Sequence, residues 1–406
     1  MSFLGPRESR FVERVFKRFY QENYRLLYIP ERIQEREFGY FTFGEKIMVR
    51  HLDVAGEEEL WRLVREATPL HLHYSAAFYR YPRAPMEEKE WMGAELIFDI
   101  DADHLDTGCE KEHDFKVCPS CRTPHPKDLE ECPSCGGKLM EVEWVCELCL
   151  EAAKEESRKL LDFLQIDLGF KKITMAFSGN RGYHVVVKDE EVLTLGQRER
   201  KEIADYILAV GLEPKIMGLT ARNIDPETAP DLNDPGWRGR IARAALQLAS
   251  QPDAEQLHKL TGSPRAWRCA EEARDLAEAW DENPGWNALS PGCRLLLFKA
   301  AASLASSHID SVVTTDIHRL LRLGNSLNGK TGMMAKVFDP GDLDEFDPFT
   351  EAVALPLDEE AEVHVINSPR FRLGDKTYGP YRDERLRLPL AATVLLLCKG
   401  AAFLPS

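Results

Sequence analysis

The stretch ELIFDID, residues 95–101, decides the fold, and the rest of the chain is interpreted from it. Its apolar residues favour a β-strand, in which successive side chains point to opposite faces, so positions 96, 98 and 100 are predicted to enter the core. Asp99 and Asp101 then project side by side, about 6 to 7 Å apart. At an effective dielectric of about 20 their repulsion costs about 2 to 3 kcal/mol, which a bound cation would remove. Mg²⁺ or Mn²⁺ suits two such carboxylates; the alternative is a strand end whose acids face water.

Cysteines crowd into the stretch that follows the two acids. Seven of the ten cysteines fall within residues 109–149, and in a reducing compartment such crowding indicates metal before disulfide. Two C-x-x-C pairs have the spacing of a zinc ribbon, which closes tetrahedrally on Zn²⁺ and is structural; its ligands are Cys118, Cys121, Cys132 and Cys135. Four flanking ligands predict a second, nested zinc site: Cys109, His113, Cys146 and Cys149. One site with interleaved ligands is the alternative. Four other residues are interpreted as ordinary: His125, Cys269, Cys293 and Cys398.

Two later segments are rich in Lys and Arg. Residues 177–184, FSGNRGYH, join two predicted strands by a turn whose glycines let backbone N–H groups face a ligand. The windows 169–188 and 317–336 each hold four Lys or Arg and no acid. Both windows therefore favour binding of a triphosphate or a nucleic-acid backbone. The alternatives are a hairpin turn with a solvent-facing Arg and, for the second window, a charged helix followed by a loop.

Hydrophobic periodicity organises the remainder of the chain. Pro- and Gly-rich joints lie at 223–239, 281–292 and 339–348. Short β-branched or aromatic runs predict strands at 95–101, 172–177 and 183–187. Helical spacing predicts helices at 241–249, 270–280 and 295–304, and another that begins near Leu150. The sequence therefore predicts an α/β (α+β mixed) fold interrupted by a helical insertion.

The composition excludes several classes of protein. The 406 residues are 44% hydrophobic and 30% charged, which argues against collagen-like and disordered chains. The net charge of −16 argues against a protein that coats nucleic acid by bulk electrostatics. A charged N-terminus and a longest apolar run of nine residues, 390–398, predict a soluble, intracellular chain that does not enter a membrane.

Taken in this order, the motifs resemble the catalytic small subunit of the archaeal and eukaryotic DNA primases. The resemblance covers most of residues 10–340, and the inserted ribbon favours the archaeal form. It rests on ELIFDIDADH at 95–104, the cysteine cluster, SGNRGYH at 178–184, and Asp316 with SLNGKTG at 326–332. It implies a template-directed nucleotidyl transferase that makes short RNA or DNA primers on single-stranded DNA from NTPs or dNTPs, in the cytoplasm at the replication fork. It also implies a primase catalytic core with an RRM-like mixed sheet, and a heterodimer with a primase large subunit.

The resemblance also implies residue roles. Two catalytic Mg²⁺ or Mn²⁺ ions would be held by Asp99, Asp101 and Asp316, and structural Zn²⁺ would brace the adjacent loop. The predicted nucleotide-binding residues are Ser178, Arg181, His184, Arg322, Ser326 and Lys330. In two places the chain departs from the family. Asn328 stands where the family usually has His, so phosphate affinity is expected to fall there, and Asn180 stands where relatives often have a basic residue.

The predicted domain order follows from these assignments. The catalytic core begins with 1–108, the zinc-binding insertion is 109–149, the core continues through 150–190, a mostly helical insertion spans 191–305, and 306–406 returns to the core and ends the chain. Two alternatives remain open in function. One is a primase-like polymerase that fills gaps during repair, and the other is a catalytically inert zinc-ribbon module for DNA binding or assembly.

Overall fold

A computed structural model describes residues 4–105, 107–279 and 285–405 of the chain. The chain divides into two compact units. The core unit comprises residues 1–157, 171–200 and 310–406, and the helical unit comprises 158–170 and 201–309. The domain boundaries drawn from the sequence remain predictions.

The elements are numbered in chain order. The helices are α1 (Pro6–Asn23), α2 (Glu57–Ala67), α3 (Glu110–His113), α4 (Glu147–Asp162), α5 (Gln197–Ile207), α6 (Gly236–Ser250), α7 (Ala254–Thr261), α8 (Ala266–Ala279), α9 (Pro291–Ala305), α10 (Ser311–Thr315), α11 (Pro348–Glu351) and α12 (Leu390–Lys399). The strands are β1 (Phe38–Phe41), β2 (Met48–Leu52), β3 (His71–Ser75), β4 (Ala77–Tyr79), β5 (Trp91–Ala94), β6 (Leu96–Asp101), β7 (Phe115–Val117), β8 (Pro124–His125), β9 (Met140–Val142), β10 (Ile173–Phe177), β11 (Gly182–Val187), β12 (Leu320–Arg322), β13 (Val337–Phe338), β14 (Glu360–Ser368), β15 (Phe371–Leu373), β16 (Lys376–Tyr378), β17 (Tyr381–Pro389) and β18 (Ala402–Phe403).

The central sheet of the core unit has the strand order β13-β10-β11-β6. Strands β10 and β11 form a hairpin, and β6 pairs antiparallel with the outer side of β11. Strands β6 and β10 therefore run parallel to each other with β11 between them, and the chain passes from one to the other through α4, which makes a split βαβ unit. A second sheet of the core unit has the strand order β12-β3-β1-β2.

The expectation of a mixed sheet needs correction. Every strand pair among the residues described is antiparallel. For β10 and β11 the physical reason is the tight turn at 178–181, because a short connection of this kind joins antiparallel neighbours. Strand β6 lies on the outer side of β11 rather than beside β10, so the two strands that run parallel to each other are not paired. The mixed α/β class itself is confirmed by helices and sheets within one chain.

The start of β6 is held by a buried ion pair. Arg36, which is fully buried, donates two hydrogen bonds to the Glu95 carboxylate, from Nη1 at 3.1 Å and Nη2 at 2.7 Å. Arg200 donates to the carbonyl oxygens of Ala94 and Glu95 at 2.7 and 2.8 Å. Two buried guanidinium groups thus fix the backbone from which Asp99 and Asp101 extend.

The C-terminal residues pack against the rest of the core unit. One hydrophobic core joins side chains of α1, β3, β14 and α12, and it includes Trp144 at the end of the cysteine-rich segment. All ten residues of α12 are buried, and the helix ends at Gly400, whose φ of +73° suits glycine. The hairpin of β14 and β17 is exposed on its charged face, where Arg385 pairs with Glu362 at 2.6 Å.

The helical unit contains α6 to α9. A disulfide joins Cys269 of α8 to Cys293 of α9. The interpretation of these two cysteines as ordinary residues was therefore wrong: they face each other across two packed helices, a proximity that sequence spacing does not reveal. None of the helices described is long and apolar enough to cross a membrane.

Most predicted elements are confirmed within a few residues. The three predicted strands appear as β6, β10 and β11, and the predicted helices appear as α6, α8 and α9. Trp280, at the end of one predicted helix, and residues 281–284 of one joint lie outside the described residues. The helix expected near Leu150 begins at Glu147, directly after Cys146, because Leu150 N–H already donates to the Cys146 carbonyl at 3.2 Å.

Candidate active site and metal centres

One strand of the central sheet, β6, places the two predicted acids in one cavity. Asp99 and Asp101 lie on β6 and both line a cavity of about 190 Å³. The flanking Phe98 and Ile100 are fully buried on the opposite face, as predicted from the alternation. Across the ladder, His184 of β11 is the register partner of Asp99, and its Nε2 lies 3.6 Å from Asp99 Oδ1.

The electrostatics of this cavity favour a cation. Burial and the nearby charges of Asp103 and Asp99 together raise the pKa of Asp101 to about 6, against the opposing effect of Arg181. Burial also lowers the pKa of His184, against the opposing effect of Asp99. Carboxylates crowded in this way fit the oxygen-rich ligand set that Mg²⁺ and Mn²⁺ prefer.

Arg181 is engaged with acids rather than directed at open solvent. It is 5% exposed. Its Nη2 lies 2.7 Å from Asp103 Oδ2 and 3.4 Å from Glu143 Oε2, and its Nε lies 3.7 Å from Asp101 Oδ1. Among the described residues this Nε is buried without a hydrogen bond. The guanidinium therefore partly neutralises the acids beside the predicted metal site.

The turn at 178–182 is tied to the loop at 326–332. Asn328 is buried and uses both ends of its amide: Nδ2 donates to the Ser178 carbonyl at 2.8 Å, and Oδ1 accepts from Lys330 N–H at 2.9 Å. Thr331 donates from Oγ1 to the Gly179 carbonyl. The two segments that the sequence marks as basic are thus one assembled unit, with Asn328 as the connection.

The Ser178 hydroxyl organises the turn itself. Its Oγ accepts from the backbone N–H groups of Asn180 and Gly182 at 3.3 and 3.2 Å. A Cβ on Gly182 would collide with the carbonyl oxygen of Ile100 on β6, so only glycine permits this close approach of turn and strand. Ser178 and Asn180 both line the cavity.

Three cations line the same cavity as the acids: Arg319, Arg322 and Lys330. Lys330 is exposed. Burial lowers the pKa of Arg322 to about 10, and Arg322 Nη1 donates to His71 Nδ1 at 2.7 Å. The cavity therefore combines acids on β6 with cations from β12 and the following loop, an arrangement suited to a metal-bound polyphosphate.

Two histidines of β3 reach this site, and the sequence interpretation missed them. His71 Nδ1 accepts from Arg322 and from Gly329 N–H, the latter at 3.2 Å. His73 lines the cavity, and its Nδ1 is buried without a hydrogen-bond partner among the described residues. An orphan polar atom in a cavity indicates a place for a ligand group. The alternation in HLHYS, residues 71–75, is the only sequence signal for two histidines on one strand face.

Three predicted site residues do not line this cavity: Arg181, whose acidic partners are described above, Ser326 and Asp316. Ser326 is fully buried and donates to the Leu323 carbonyl at 2.7 Å, so its hydroxyl has a structural partner away from the cavity. Asp316 follows α10, which packs against β6, and its Oδ1 accepts from His318 N–H at 2.9 Å. Neither residue lines the cavity within the described residues. The Asp310 N–H donates to the Asp99 carbonyl at 3.0 Å and so links the segment before Asp316 to the acidic strand.

The eight predicted cysteine and histidine ligands form two separate groups, each with ligand atoms within 4.8 Å of one another. The first group is Cys109, His113, Cys146 and Cys149, and the second is Cys118, Cys121, Cys132 and Cys135. In the first group the Sγ atoms lie 3.2 to 3.5 Å apart. Four thiolates or imidazoles around a Zn²⁺ ion would have sulfur atoms about 3.8 Å apart, so these donors are almost in place. The grouping matches the nested arrangement and not the interleaved one.

Further side chains support the two ligand groups. The buried Asp114 Oδ1 lies 2.9 Å from His113 Nδ1 and accepts from Trp144 N–H at 2.8 Å, which is the usual way of orienting a metal-binding imidazole. In the second group, His125 Nε2 lies 3.5 Å from Cys132 Sγ and 2.9 Å from Thr123 Oγ1. His125 is therefore beside the second group and not an unrelated surface residue.

Comparisons with known proteins show the family of the chain. The family model described as "DNA primase small subunit" matches residues 128–340. The chain is 36% identical over 391 residues to the DNA primase small subunit PriS of Cenarchaeum symbiosum, covering 95% of this chain and 96% of the relative. It is 33% identical over 403 residues to that of Nitrosopumilus maritimus, covering 98% and 99%. With the PriS of Pyrobaculum calidifontis it shares 34% over 335 residues, covering 82% and 80%. The chain therefore belongs to the DNA primase small subunit family, and its enzyme class is DNA primase.

Proposed function

We propose that the chain is the catalytic subunit that synthesises short RNA or DNA primers on a single-stranded DNA template, by nucleotidyl transfer assisted by two divalent ions. The single observation that carries the proposal is the cavity lined both by Asp99 and Asp101 and by Arg319, Arg322 and Lys330. A cavity that combines acids with cations suits a nucleoside triphosphate carried by divalent metal.

Asp99, Asp101 and Asp316 would hold Mg²⁺ or Mn²⁺. When bound, such ions polarise the attacking 3′-hydroxyl and neutralise charge on the α-phosphate and the departing pyrophosphate. The elevated pKa of Asp101 supports this assignment, because a carboxyl that is destabilised in its charged form gains most from a cation. The hydrogen bond from His318 N–H to Asp316 Oδ1 would hold this carboxylate in place.

The chain's own cations would bind the triphosphate. Lys330 is exposed at the cavity, and Arg322 is held in place by His71. Ser178 and His184 line the same cavity and offer further polar contacts. Arg181, which lies beside Asp101, Asp103 and Glu143, would be available to phosphate if bound cations took over the neutralisation of these acids. Ser326 is not included among these residues, because its hydroxyl donates a hydrogen bond to the Leu323 carbonyl.

Both cysteine groups would bind Zn²⁺ in closed, structural sites, giving two zinc ions per chain. A primase large subunit is the proposed partner, forming a heterodimer, since the matched relatives are named as small subunits. The RRM-like topology also belongs to the proposal, supported by the split βαβ unit of β6, α4, β10 and β11.

Primer synthesis on unprimed single-stranded DNA tests the proposal. The assay uses labelled NTPs or dNTPs with Mg²⁺ or Mn²⁺, with and without the large subunit. Wild type is expected to give short products, and Asp101→Asn, which keeps the shape of the side chain but removes its charge, is expected to lower the rate at least a hundredfold. Asp375→Asn, a matched change at an exposed turn of the same unit, is expected to leave the rate unchanged.

Parallel assays separate the two alternatives. Extension of a gapped duplex without synthesis on unprimed template would favour a repair polymerase. DNA binding that is equal in wild type and Asp101→Asn, with no product from either, would favour an inert zinc-ribbon module. Absence of product from wild type under all conditions would overturn the proposal.

A further inference from the structure

A buried lysine lies directly behind the turn that lines the cavity. Lys399 is the last residue of α12, whose ten residues are all buried, and it is only 5% exposed. A buried ammonium group is costly unless hydrogen bonds satisfy it. The residues that contact Lys399 therefore indicate the role of this buried charge.

Lys399 connects three segments of the core unit. Its Nζ donates to the Glu143 carbonyl at 2.9 Å and to Asn180 Oδ1 at 2.9 Å. Glu143 follows the cysteine-rich ribbon, and Asn180 belongs to the turn at 178–182. One turn earlier on α12, the Val394 side chain lies where a Cβ on Gly332 would be, so the helix also supports the 326–332 loop.

The contact with Lys399 fixes which way the Asn180 amide points. An ammonium group only donates hydrogen bonds, so the amide oxygen must face Lys399 and the amide nitrogen must face away. Asn180 lines the cavity and is 6% exposed. Within the described residues its Nδ2 makes no hydrogen bond. Two N–H donors are thus left available to a group in the cavity.

The surrounding charges are suited to a polyanion. Burial, together with the positive charges of Arg181 and Lys330, lowers the pKa of Lys399 to about 7. A bound triphosphate would offset this repulsion and favour the ammonium form. Asn180 itself is neutral, but the Lys399 ammonium group to which it is hydrogen-bonded supplies a positive charge directly behind it.

We propose that Lys399 is a positioning residue of the nucleotide site: it holds Asn180 with its amide N–H groups directed at the triphosphate. The identity of the ligand rests on the proposed function. Lys399 does not touch the nucleotide, and its effect passes through Asn180. This distinguishes it from a lysine that only stabilises the fold.

A double-mutant cycle tests the proposal. ATP binding in the presence of Mg²⁺ is measured by calorimetry for wild type, Lys399→Met, Asn180→Ala and the double variant. Lys399→Met is expected to weaken ATP binding about tenfold, the loss typical of one hydrogen bond to a charged group. In the Asn180→Ala background the same change is expected to weaken binding less than twofold. Equal losses in both backgrounds would overturn the proposal, because a purely structural effect does not depend on Asn180.

Kinetics and a matched control complete the test. In primer synthesis Lys399→Met is expected to raise the nucleotide KM about tenfold and to change kcat less than threefold. Lys376→Met makes the same chemical change at an exposed position and is expected to leave KM unaltered. A lowered kcat with unchanged KM would contradict the inference.

If Lys399→Met does not fold, Asn180→Asp provides a second test of the proposal. The aspartate retains the Lys399 contact as an ion pair but replaces the N–H donors with an acceptor. We expect undiminished thermal stability and at least tenfold weaker ATP binding; wild-type affinity would overturn the inference. Failure of the proposed function is recognised separately, as absence of primers from a wild-type chain that still binds ATP.

Discussion

At the scale of single residues, Gly179 shows how closely the two loops of the site approach each other. Its φ is +76°, and a Cβ there would lie 2.8 Å from Asn328 Cβ and 3.2 Å from the Met333 carbonyl oxygen. Glycine is therefore required both by the backbone conformation and by the contact. The sequence interpretation identified the glycine as permissive but not the neighbour that it must avoid.

Gly179→Ala is expected to separate the turn from the 326–332 loop. We expect nucleotide KM to rise about tenfold and the melting temperature to fall by several degrees. Gly44→Ala is the control, because Gly44 has a similar φ of +74° but no atom within 4 Å of an added Cβ. An equal loss in both variants would mean that backbone strain alone, about 1 to 2 kcal/mol, explains the effect.

The buried Lys399 makes a prediction about pH. Its folded-state pKa of about 7 lies below the usual value near 10.4, so between these values the unfolded chain binds more protons than the folded chain. Stability therefore rises with pH in this window. From pH 7 to 9 the free energy of unfolding of wild type is expected to increase by about 2 kcal/mol relative to Lys399→Met. Parallel pH profiles for the two proteins in denaturant titrations would contradict this.

At the scale of elements, β6 depends on the ion pair at its start. Glu95→Gln leaves the fully buried Arg36 without a countercharge, which costs about 3 to 5 kcal/mol. We expect a large shift of the urea midpoint of the core unit. The control is Glu359→Gln, which breaks the exposed pair with Arg18 and should cost less than about 1 kcal/mol. Similar midpoints for the two variants would show that Arg36 does not depend on Glu95.

The two cysteine groups differ in what they connect. Cys149 lies in α4 and is buried, whereas Cys121 is exposed at a knuckle of the ribbon. Cys109, eight positions after Asp101, shares the first group with Cys149. The first group therefore ties the segment after β6 to the helix that leads to β10, and the second group closes only the ribbon.

Cys149→Ser and Cys121→Ser test this difference. Atomic absorption should find two zinc ions per chain in wild type and one in each variant. Primer synthesis is expected to fall more than tenfold in Cys149→Ser and less than threefold in Cys121→Ser. One zinc ion in wild type would overturn the two-site assignment, and equal activities would overturn the proposed difference in role.

At the scale of the whole molecule, positive charge is local. The two basic windows contribute +8, so the remaining 366 residues carry −24. Only three cations of these windows line the cavity, and a fourth, Arg181, is paired with acids. The acid excess of the rest of the chain opposes extended contact with a phosphate backbone.

The chain alone is therefore expected to bind single-stranded DNA weakly and with a shallow salt dependence. Three phosphate contacts correspond to a slope of log K against log salt of about −2. Fluorescence anisotropy with a labelled oligonucleotide across a KCl series measures it. A slope steeper than about −5 would indicate a basic surface that the charge distribution does not predict.

Local pattern determined much of this protein by itself. The alternation in residues 95–101 was sufficient to predict strand β6 and to place Asp99 and Asp101 on the same face. Side-chain direction in a strand depends only on the position of the residue along it. The spacing of the cysteines was sufficient to predict two groups of metal ligands. Two thiolates three residues apart can bind the same ion whatever the conformation of the rest of the chain. The order of the motifs along the chain was sufficient to predict the family.

Only the tertiary structure decided which distant residues complete the site. Because β3 pairs with β12, His73 lines the cavity and His71 contacts Arg322 beside it. The Ser326 hydroxyl is bonded to Leu323 instead, and Lys399 meets Asn180 across 219 positions of sequence. Arg181 carries the expected charge but is held by acids beside it. Such contacts depend on packing between segments far apart in the chain, and neither hydrophobic periodicity nor motif spacing contains that information.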